Sequence, residues 1–315
     1  MREYAADGPP GPDVRTTVAM ITKDRPRSAL HTLDRLAELP ERPPVVVVDN
    51  GGDPAVGAAL RAHPAGARVL SPGRNLGALG RNLAVGHAST PYIAFSDDDS
   101  WWRPGALRRA ADLLDAHPRL GLLAARSLVG PEEREDPMNE QLARSPLPAE
   151  EGLPGRPVLG FLGCACVVRR EAFLAVGGYH PVLFFGAEET LLAYDLAATG
   201  WGVSYDPSVT AHHHPDPGER PGRATLLRRN ALLTAWLRRP AYVALRQTVA
   251  LGTEAVRGNA GAATALRGAL ERAPAAVRRR RRLPPRVEQK VRLLENGGRE
   301  KRPNVAHRDE QGAST

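Results

Sequence analysis

Three consecutive aspartates, Asp97, Asp98 and Asp99, close an apolar run formed by Tyr92, Ile93, Ala94 and Phe95. Folding gains nothing from adjacent carboxylates, which repel one another. A hard divalent cation does gain, because Mg²⁺ and Mn²⁺ take oxygen ligands and share them with substrate phosphates. A second strand-like run ends in Asp49, which can accept hydrogen bonds from a base or ribose, or simply form an Asx turn. Asn75, Gly77, Gly80 and Asn82 make a tight turn into a helix, where backbone N–H groups can face a phosphate. Gly77 and Gly80 lack the Gly-x-Gly-x-x-Gly spacing, so this is not a dinucleotide fingerprint.

These groups need elements to carry them. A strand is expected over Thr16–Ile21, followed by Thr22-Lys23-Asp24-Arg25-Pro26 and a helix with Ser28 as its cap and Leu30, Leu33, Leu36 and Leu39 along one side. Val45–Val48 reads as a buried β-branched strand, Ala67–Leu70 as a weaker one, and Gly80–His87 as a short helix. Pro104 opens a helix to Ala116, proline being favoured in a first helical turn. Strands alternating with helices at this spacing imply an α/β fold with a doubly wound, mainly parallel sheet, whose C-terminal strand ends deliver residues to a ligand crevice. Residues 130–157 read as a flexible acidic loop, Glu188–Thr199 as a helix, and Val203–Val209 as a strand running into His212, His213 and His214. From Arg223 to Val256 the chain is helical and amphipathic, with a break at Pro240.

Composition narrows the class. The 315 residues are 42% hydrophobic, enough for one large domain or two small ones. The net charge of +8 comes almost wholly from arginine, Lys23, Lys290 and Lys301 being the lysines, which fits genome composition as well as nucleic-acid binding. Cys164 and Cys166 lie one residue apart in an apolar run, are poorly placed to bridge, and read as core residues of a reducing compartment. No apolar signal segment opens the chain and no uncharged apolar run reaches the roughly 18 residues of a membrane span. A cytoplasmic protein is expected, peripheral at the inner face of the cell membrane if it touches lipid.

Taken in order, the segments resemble the family 2 glycosyltransferases, nucleotide-sugar-dependent enzymes of the GT-A fold. The landmarks are Thr22-Lys23-Asp24-Arg25-Pro26, Val48-Asp49-Asn50, Asn75-Leu76-Gly77 with Gly80-Arg81-Asn82, Asp97-Asp98-Asp99, Gly186-Ala187-Glu188-Glu189 and His212. The resemblance implies a nucleotide-sugar site built from Thr22, Asp24, Arg25, Asp49, Asn75, Gly77, Arg81, Asn82, Asp97 and Asp98. It implies Mg²⁺ or Mn²⁺ held by Asp99, with Asp97 contacting the ribose or the metal shell, and His212 completing the metal or diphosphate site. His213 and His214 read as surface residues. Glu188-Glu189 matches the family's Glu-Asp pair, whose second acid deprotonates the acceptor hydroxyl, which makes Glu189 the base, with Glu188 or Asp195 as alternatives. Helix N-terminal acids also satisfy the macrodipole without any catalysis.

The expected organisation is a disordered N-terminus (1–14), a GT-A domain (15–222), C-terminal helices (223–273) and a basic, disordered tail (274–315). The expected partners are a nucleoside-diphosphate sugar and a hydroxyl acceptor, lipid-linked or polysaccharide, with no nucleic acid. Leu232, Leu233, Trp236, Leu237, Tyr242, Val243 and Leu245, beside Arg228, Arg229, Arg238, Arg239 and Arg246, form a pattern suited either to a lipid interface or to packing on the catalytic domain. Two competing readings are a sugar-phosphate nucleotidyltransferase, disfavoured by the absence of glycine in Thr22–Pro26, and a non-catalytic protein using Arg278–Arg282 to hold nucleic acid or anionic lipid.

Overall fold

The computed structural model describes residues 11–216, 218 and 222–300. The first half alternates strand and helix: β1 (Thr16–Thr22), α1 (Pro26–Ala37), β2 (Val45–Asp49), α2 (Pro54–Ala62), β3 (Arg68–Leu70), α3 (Leu79–His87) and β4 (Tyr92–Asp97). β5 (Ser100–Trp102), α4 (Ala106–Ala116), β6 (Leu120–Val129), β7 (Arg134–Glu135), α5 (Pro137–Ala143), β8 (Arg156–Pro157), β9 (Cys166–Arg169) and α6 (Arg170–Ala175) follow. The chain then forms α7 (Glu188–Ala198), β10 (Gly202–His213) and four helices, α8 (Arg223–Arg238), α9 (Ala241–Val256), α10 (Ala260–Arg278) and α11 (Pro285–Glu300).

The sheet runs in the order β3-β2-β1-β4-β9-β6-β10-β5. β3, β2, β1 and β4 are mutually parallel, and β10 is parallel to β6, while β9 sits antiparallel between β4 and β6. This is an α/β fold with a mainly parallel central sheet and C-terminal helices. β1 is buried on both faces because its residues alternate between two cores. Val18 and Met20 pack with Leu33, Leu36 and Leu60, while Ala19 and Ile21 pack with Phe95, Phe173 and Leu192. β1 also has parallel neighbours on both sides, β2 and β4, so strand order reverses there and a crevice opens beyond the strand ends.

Several local expectations change. Ser28 does not cap α1; its hydroxyl donates to the Asp98 carbonyl at 2.8 Å, and Arg25 at the N-cap position makes no side-chain bond to the helix end. α4 starts at Ala106 behind Gly105, whose φ of +86° only glycine adopts freely. The segment 130–157 is docked rather than free: Asp136 caps α5, and Asn139 bonds both the N–H and the carbonyl of Ser127 at 2.9 and 2.7 Å.

The largest correction concerns the C-terminus. Residues 274–300 are not a disordered tail. α10 continues through Pro274 to Arg278, and Leu283 of the connecting segment with Val287 and Val291 of α11 packs against Leu147, Leu159 and Tyr194. Arg239, nearly buried, donates to Glu288 and Glu295 at 2.8 and 2.6 Å and pins α11 to α8. The rest of the predicted tail, 301–315, and residues 1–10 of the predicted disordered N-terminus lie outside the described residues. Residues 11–14 are placed, and Asp13 is buried against Arg15. In α8, Leu232, Leu233 and Leu237 are buried with Val182, Leu183 and Leu191, so they pack on the sheet domain instead of facing lipid.

Candidate active site

A cavity of about 530 Å³ opens beyond the C-terminal ends of β1, β2 and β4, where the topology places it. Its wall includes Thr22, Lys23 and Arg25 after β1, Asn50 after β2, Asn75 and Gly77 before α3, and all three aspartates after β4. The second wall is Phe184 and Phe185 with Leu226, Arg229 and Arg272 from α8 and α10.

Each aspartate has a different setting. Asp98 is buried, accepts from the Thr22 hydroxyl at 2.7 Å and pairs with Arg25, and burial first, offset by those partners, raises its pKa to about 6. Asp99 is also buried, 3.0 Å from the Arg25 guanidinium, with the Nε2 of His213 3.6 Å from its other oxygen. Asp97 is the more exposed and pairs with Arg81. Arg25 also reaches Asp216 at 2.8 Å, so one guanidinium spans three carboxylates.

Burial disfavours the charge on Arg81, yet the attraction of Asp97, with Tyr179, Glu188 and Glu189 contributing, leaves its pKa above the ordinary arginine value. Its guanidinium also lies 5.8 and 5.7 Å from the faces of Phe95 and Tyr179. Arg81 therefore pairs with the aspartate end of β4 and feels the charge of the glutamates at the start of α7. Glu189 sits against Gly163, where an added β-carbon would come 2.8 Å from its Oε1. Glu188 is 3% exposed, and its Oε2 has no hydrogen-bond partner.

The loop entering α7 is strained. Phe184, Gly186 and Ala187 have φ values of +68°, +87° and +60°, and the two non-glycines there are uncommon. Asn230 of α8, fully buried, holds it by donating to the carbonyls of Leu183 at 3.2 Å, Phe185 at 2.8 Å, and Gly186. The Phe184 carbonyl in turn accepts from the Ala78 N–H at 2.8 Å, and an added β-carbon on Gly77 would collide with that oxygen. The turn before α3 and the loop before α7 are thus one braced unit.

A family model for glycosyl transferase family 2 matches residues 17–177, just over half of the chain. The chain belongs to that family. Among its curated relatives is N-acetylglucosaminyl-diphospho-decaprenol L-rhamnosyltransferase of Mycobacterium tuberculosis, 29% identical over 212 residues, 55% of this chain and 67% of the relative. Similar solved structures include a mannosyltransferase from Pyrobaculum calidifontis in complex with GDP-Man and Mn²⁺, at 21% identity and TM-score 0.56, over 95% of this chain and 84% of that one. S. aureus TarS 1–349 in complex with UDP-GlcNAc matches at 16% identity and TM-score 0.54, over 70% of this chain and 66% of that one. At such identities the likeness establishes the GT-A fold.

Within this glycosyltransferase, not every predicted site residue reaches the cavity. Asn82 bonds both the N–H and the carbonyl of Tyr179 at 2.9 Å, so its amide is committed to a turn behind the site. Asp49 is nearly buried and accepts from the Gly51 N–H at 2.9 Å, an Asx turn; its neighbour Asn50 lines the cavity and accepts from the Leu76 N–H at 3.1 Å. Asn75 shapes the Gly77 turn by accepting from its N–H at 2.8 Å. Asp24, at a φ of +56°, pairs with Lys23. Asp195 is locked to Arg238 at 2.5 Å, and like Glu188 and Glu189 it does not line the cavity; the ion pair is what sets it apart from those two acids. His212 points away from Asp99, its Nδ1 3.5 Å from Glu133 and its ring against Trp101; the next residue, His213, faces Asp99 instead. Asn50, His213, Phe184, Asn230, Arg229 and Arg272 were missed, the last four because only tertiary packing brings them here.

No group of three or more His, Cys, Asp or Glu among the described residues is preassembled around a metal. Asp99 and His213 supply one oxygen and one nitrogen donor, which fits a cation whose other positions are filled by diphosphate and water, not a protein-only cage.

The acid pair makes stability depend on pH. Burial, then the Glu189 charge, raises the Glu188 pKa from 4.5 to about 8. The folded chain thus holds this proton more tightly than the unfolded chain. Its stabilising contribution is complete below about pH 4.5 and is lost as pH rises through about 8. Thermal unfolding of the ligand-free protein should show Tm declining across that window, and Glu188→Gln should flatten the decline. Equal slopes in both proteins would assign the titration to another group.

Proposed function

We propose that this chain transfers a sugar, with inversion, from a nucleoside-diphosphate sugar to an acceptor hydroxyl, assisted by Mg²⁺ or Mn²⁺. The observation that carries the reading is Arg81, which pairs with Asp97 of the cavity wall and lies within electrostatic reach of Glu188 and Glu189 at the start of α7. Glu189 takes the proton as the acceptor oxygen attacks the anomeric carbon, and the bond from that carbon to the diphosphate breaks on the opposite side. A cation held by Asp99 and His213 would offset charge on the departing diphosphate. Arg81 pairs with Asp97 and lies close enough to bias the proton shared by the glutamates.

The rhamnosyltransferase relative acts on a diphosphate-linked lipid, and we extend that acceptor class to this chain. A thermal-shift screen of nucleoside diphosphates with and without Mn²⁺ tests the donor side. At about 100 Kd a ligand adds about 2.7 kcal/mol to apparent stability. No shift with any nucleoside diphosphate in Mn²⁺ would sink the reading.

The surface of α9 supports a membrane-proximal acceptor. Tyr242, Leu245, Val249 and Val256 fall on one side of the helix and are exposed, with Arg246 and Arg257 exposed nearby. Arg238, Arg239 and Arg280 do not contribute, because each is tied to internal partners. Among the described residues no helix is long and apolar enough to cross a membrane, so contact would be peripheral. Co-sedimentation with anionic liposomes should weaken with salt and drop when Leu245 and Val249 are changed to Gln. Absence of binding at low salt would remove the membrane from the reading.

A further inference from the structure

The active-site cavity does not end at its own wall. Leu226, Arg229 and Arg272 line it and also line a second cavity of about 450 Å³ between α8 and α10, which none of the aspartates borders. The two arginines stand at the junction. Both flank Gly268, where an added β-carbon would lie 3.1 Å from the Cδ of Arg229 and 3.9 Å from a terminal nitrogen of Arg272. A glycine inside a helix is unfavourable relative to alanine. Its place in α10 leaves room for the Arg229 stem.

The two guanidiniums are poorly neutralised. Arg229 donates to the Leu183 carbonyl and the Asn230 side chain, both at 2.9 Å and neither charged. Arg272 donates to the Gly268 carbonyl at 3.0 Å, and the nearest carboxylate, that of the exposed Glu271, is 3.8 Å away. Each arginine carries five N–H donors, so most remain for the cavities. Burial and then the Arg272 charge lower the Arg229 pKa, an effect that Glu271, also on the wall of the second cavity, only partly offsets. Like charges in a half-buried site are unfavourable unless something negative joins them, and such a pair concentrates field on an incoming anion.

We propose that Arg229 and Arg272 form a phosphate-binding subsite for the acceptor, reached through the second cavity. It rests on the glycosyltransferase reading for the word acceptor, and on the cavity geometry for the anion. The subsite holds a phosphate or diphosphate carried by the acceptor and leaves the donor's diphosphate to the aspartate side. Planar guanidiniums suit this task, since each can present paired N–H groups to phosphate oxygens.

Calorimetric titration with inorganic pyrophosphate in EDTA tests the proposal, because it removes any cation-dependent site. Wild-type protein should bind, more weakly as salt rises. Arg272→Gln should weaken binding about tenfold or more, and the Arg229→Gln, Arg272→Gln double variant should abolish it, while Arg272→Lys retains part. Binding of nucleoside diphosphate with Mn²⁺ should stay within about twofold in Arg272→Gln. The proposal is overturned if wild type does not bind pyrophosphate in EDTA, or if Arg272→Gln binds it unchanged. It is equally overturned if nucleoside diphosphate loses as much affinity as pyrophosphate, which would give the arginines to the donor. Failure of the donor reading looks different: no nucleoside diphosphate binds in Mn²⁺, yet pyrophosphate binding still depends on Arg272.

Discussion

Glu189→Gln should lower turnover by about 10²–10⁴-fold, the contribution expected of a positioned general base. The amide keeps the shape of the carboxylate against Gly163 but cannot accept the acceptor proton. Burial raises the Glu189 pKa, opposed by bonds to the helix-start backbone and by Arg81, so its ionised form is a stronger base than an exposed glutamate. Affinity for nucleoside diphosphate should barely change, because Glu189 is not among the residues that line the cavity with the aspartates. Turnover should also rise with pH through the ionisation of the Glu188–Glu189 pair, whose apparent values belong to both acids. Near-normal turnover in Glu189→Gln, alongside a collapse in Glu188→Gln, would move the base to Glu188. Asp195→Asn should instead cost stability, since it breaks the pairing with Arg238.

The aspartate strand end was legible from sequence because everything that marks it is local: an apolar run, then three acids. What each acid does was not legible, because distant residues decide it. Thr22 and Arg25 claim Asp98, Arg81 claims Asp97, and Asp99 faces β10. Which histidine faces Asp99 was not legible for the same reason: it is His213, not His212. Side chains alternate along a strand, and three histidines in a row give no phase; the pairing of His212 with Trp101 and His213 with Ser100 sets it. Asn82 followed the turn motif in sequence, but its amide bonds Tyr179, a residue 97 positions away.

The C-terminal region misled through composition. A run of arginines suggested a tail, while the informative signal was Val287 and Val291, four apart on one face of α11 and buried together with Leu283 just before it. Arg238 and Arg239 looked like headgroup ligands; both turned out to tie helices together through Asp195, Glu288 and Glu295. Nothing local to α8 announces that Asn230 braces the catalytic loop. That role exists only once the helix is docked.

Asp99→Ala should erase the Mn²⁺-dependent part of nucleoside-diphosphate binding while leaving the fold intact. The substitution removes a carboxylate with one oxygen 3.6 Å from His213 and the other 3.0 Å from Arg25. Structure should survive, because the Asp99 carbonyl still accepts from the His214 N–H at 2.8 Å and Arg25 keeps Asp98 and Asp216. Wild type at about 100 Kd of nucleotide gains about 2.7 kcal/mol, which is several degrees of Tm for a chain this size. In Asp99→Ala the nucleotide-induced shift should be the same with Mn²⁺ as with EDTA. Asp98→Ala gives the contrast: it strips a buried partner from Thr22 and Arg25, so ligand-free Tm should fall before any metal is added. If Asp99→Ala keeps the full Mn²⁺ increment and Asp97→Ala loses it, the metal belongs to the other end of the motif, beside Arg81. If neither variant alters the increment, the aspartates bind no metal, and Arg25 supplies the positive charge that meets the diphosphate.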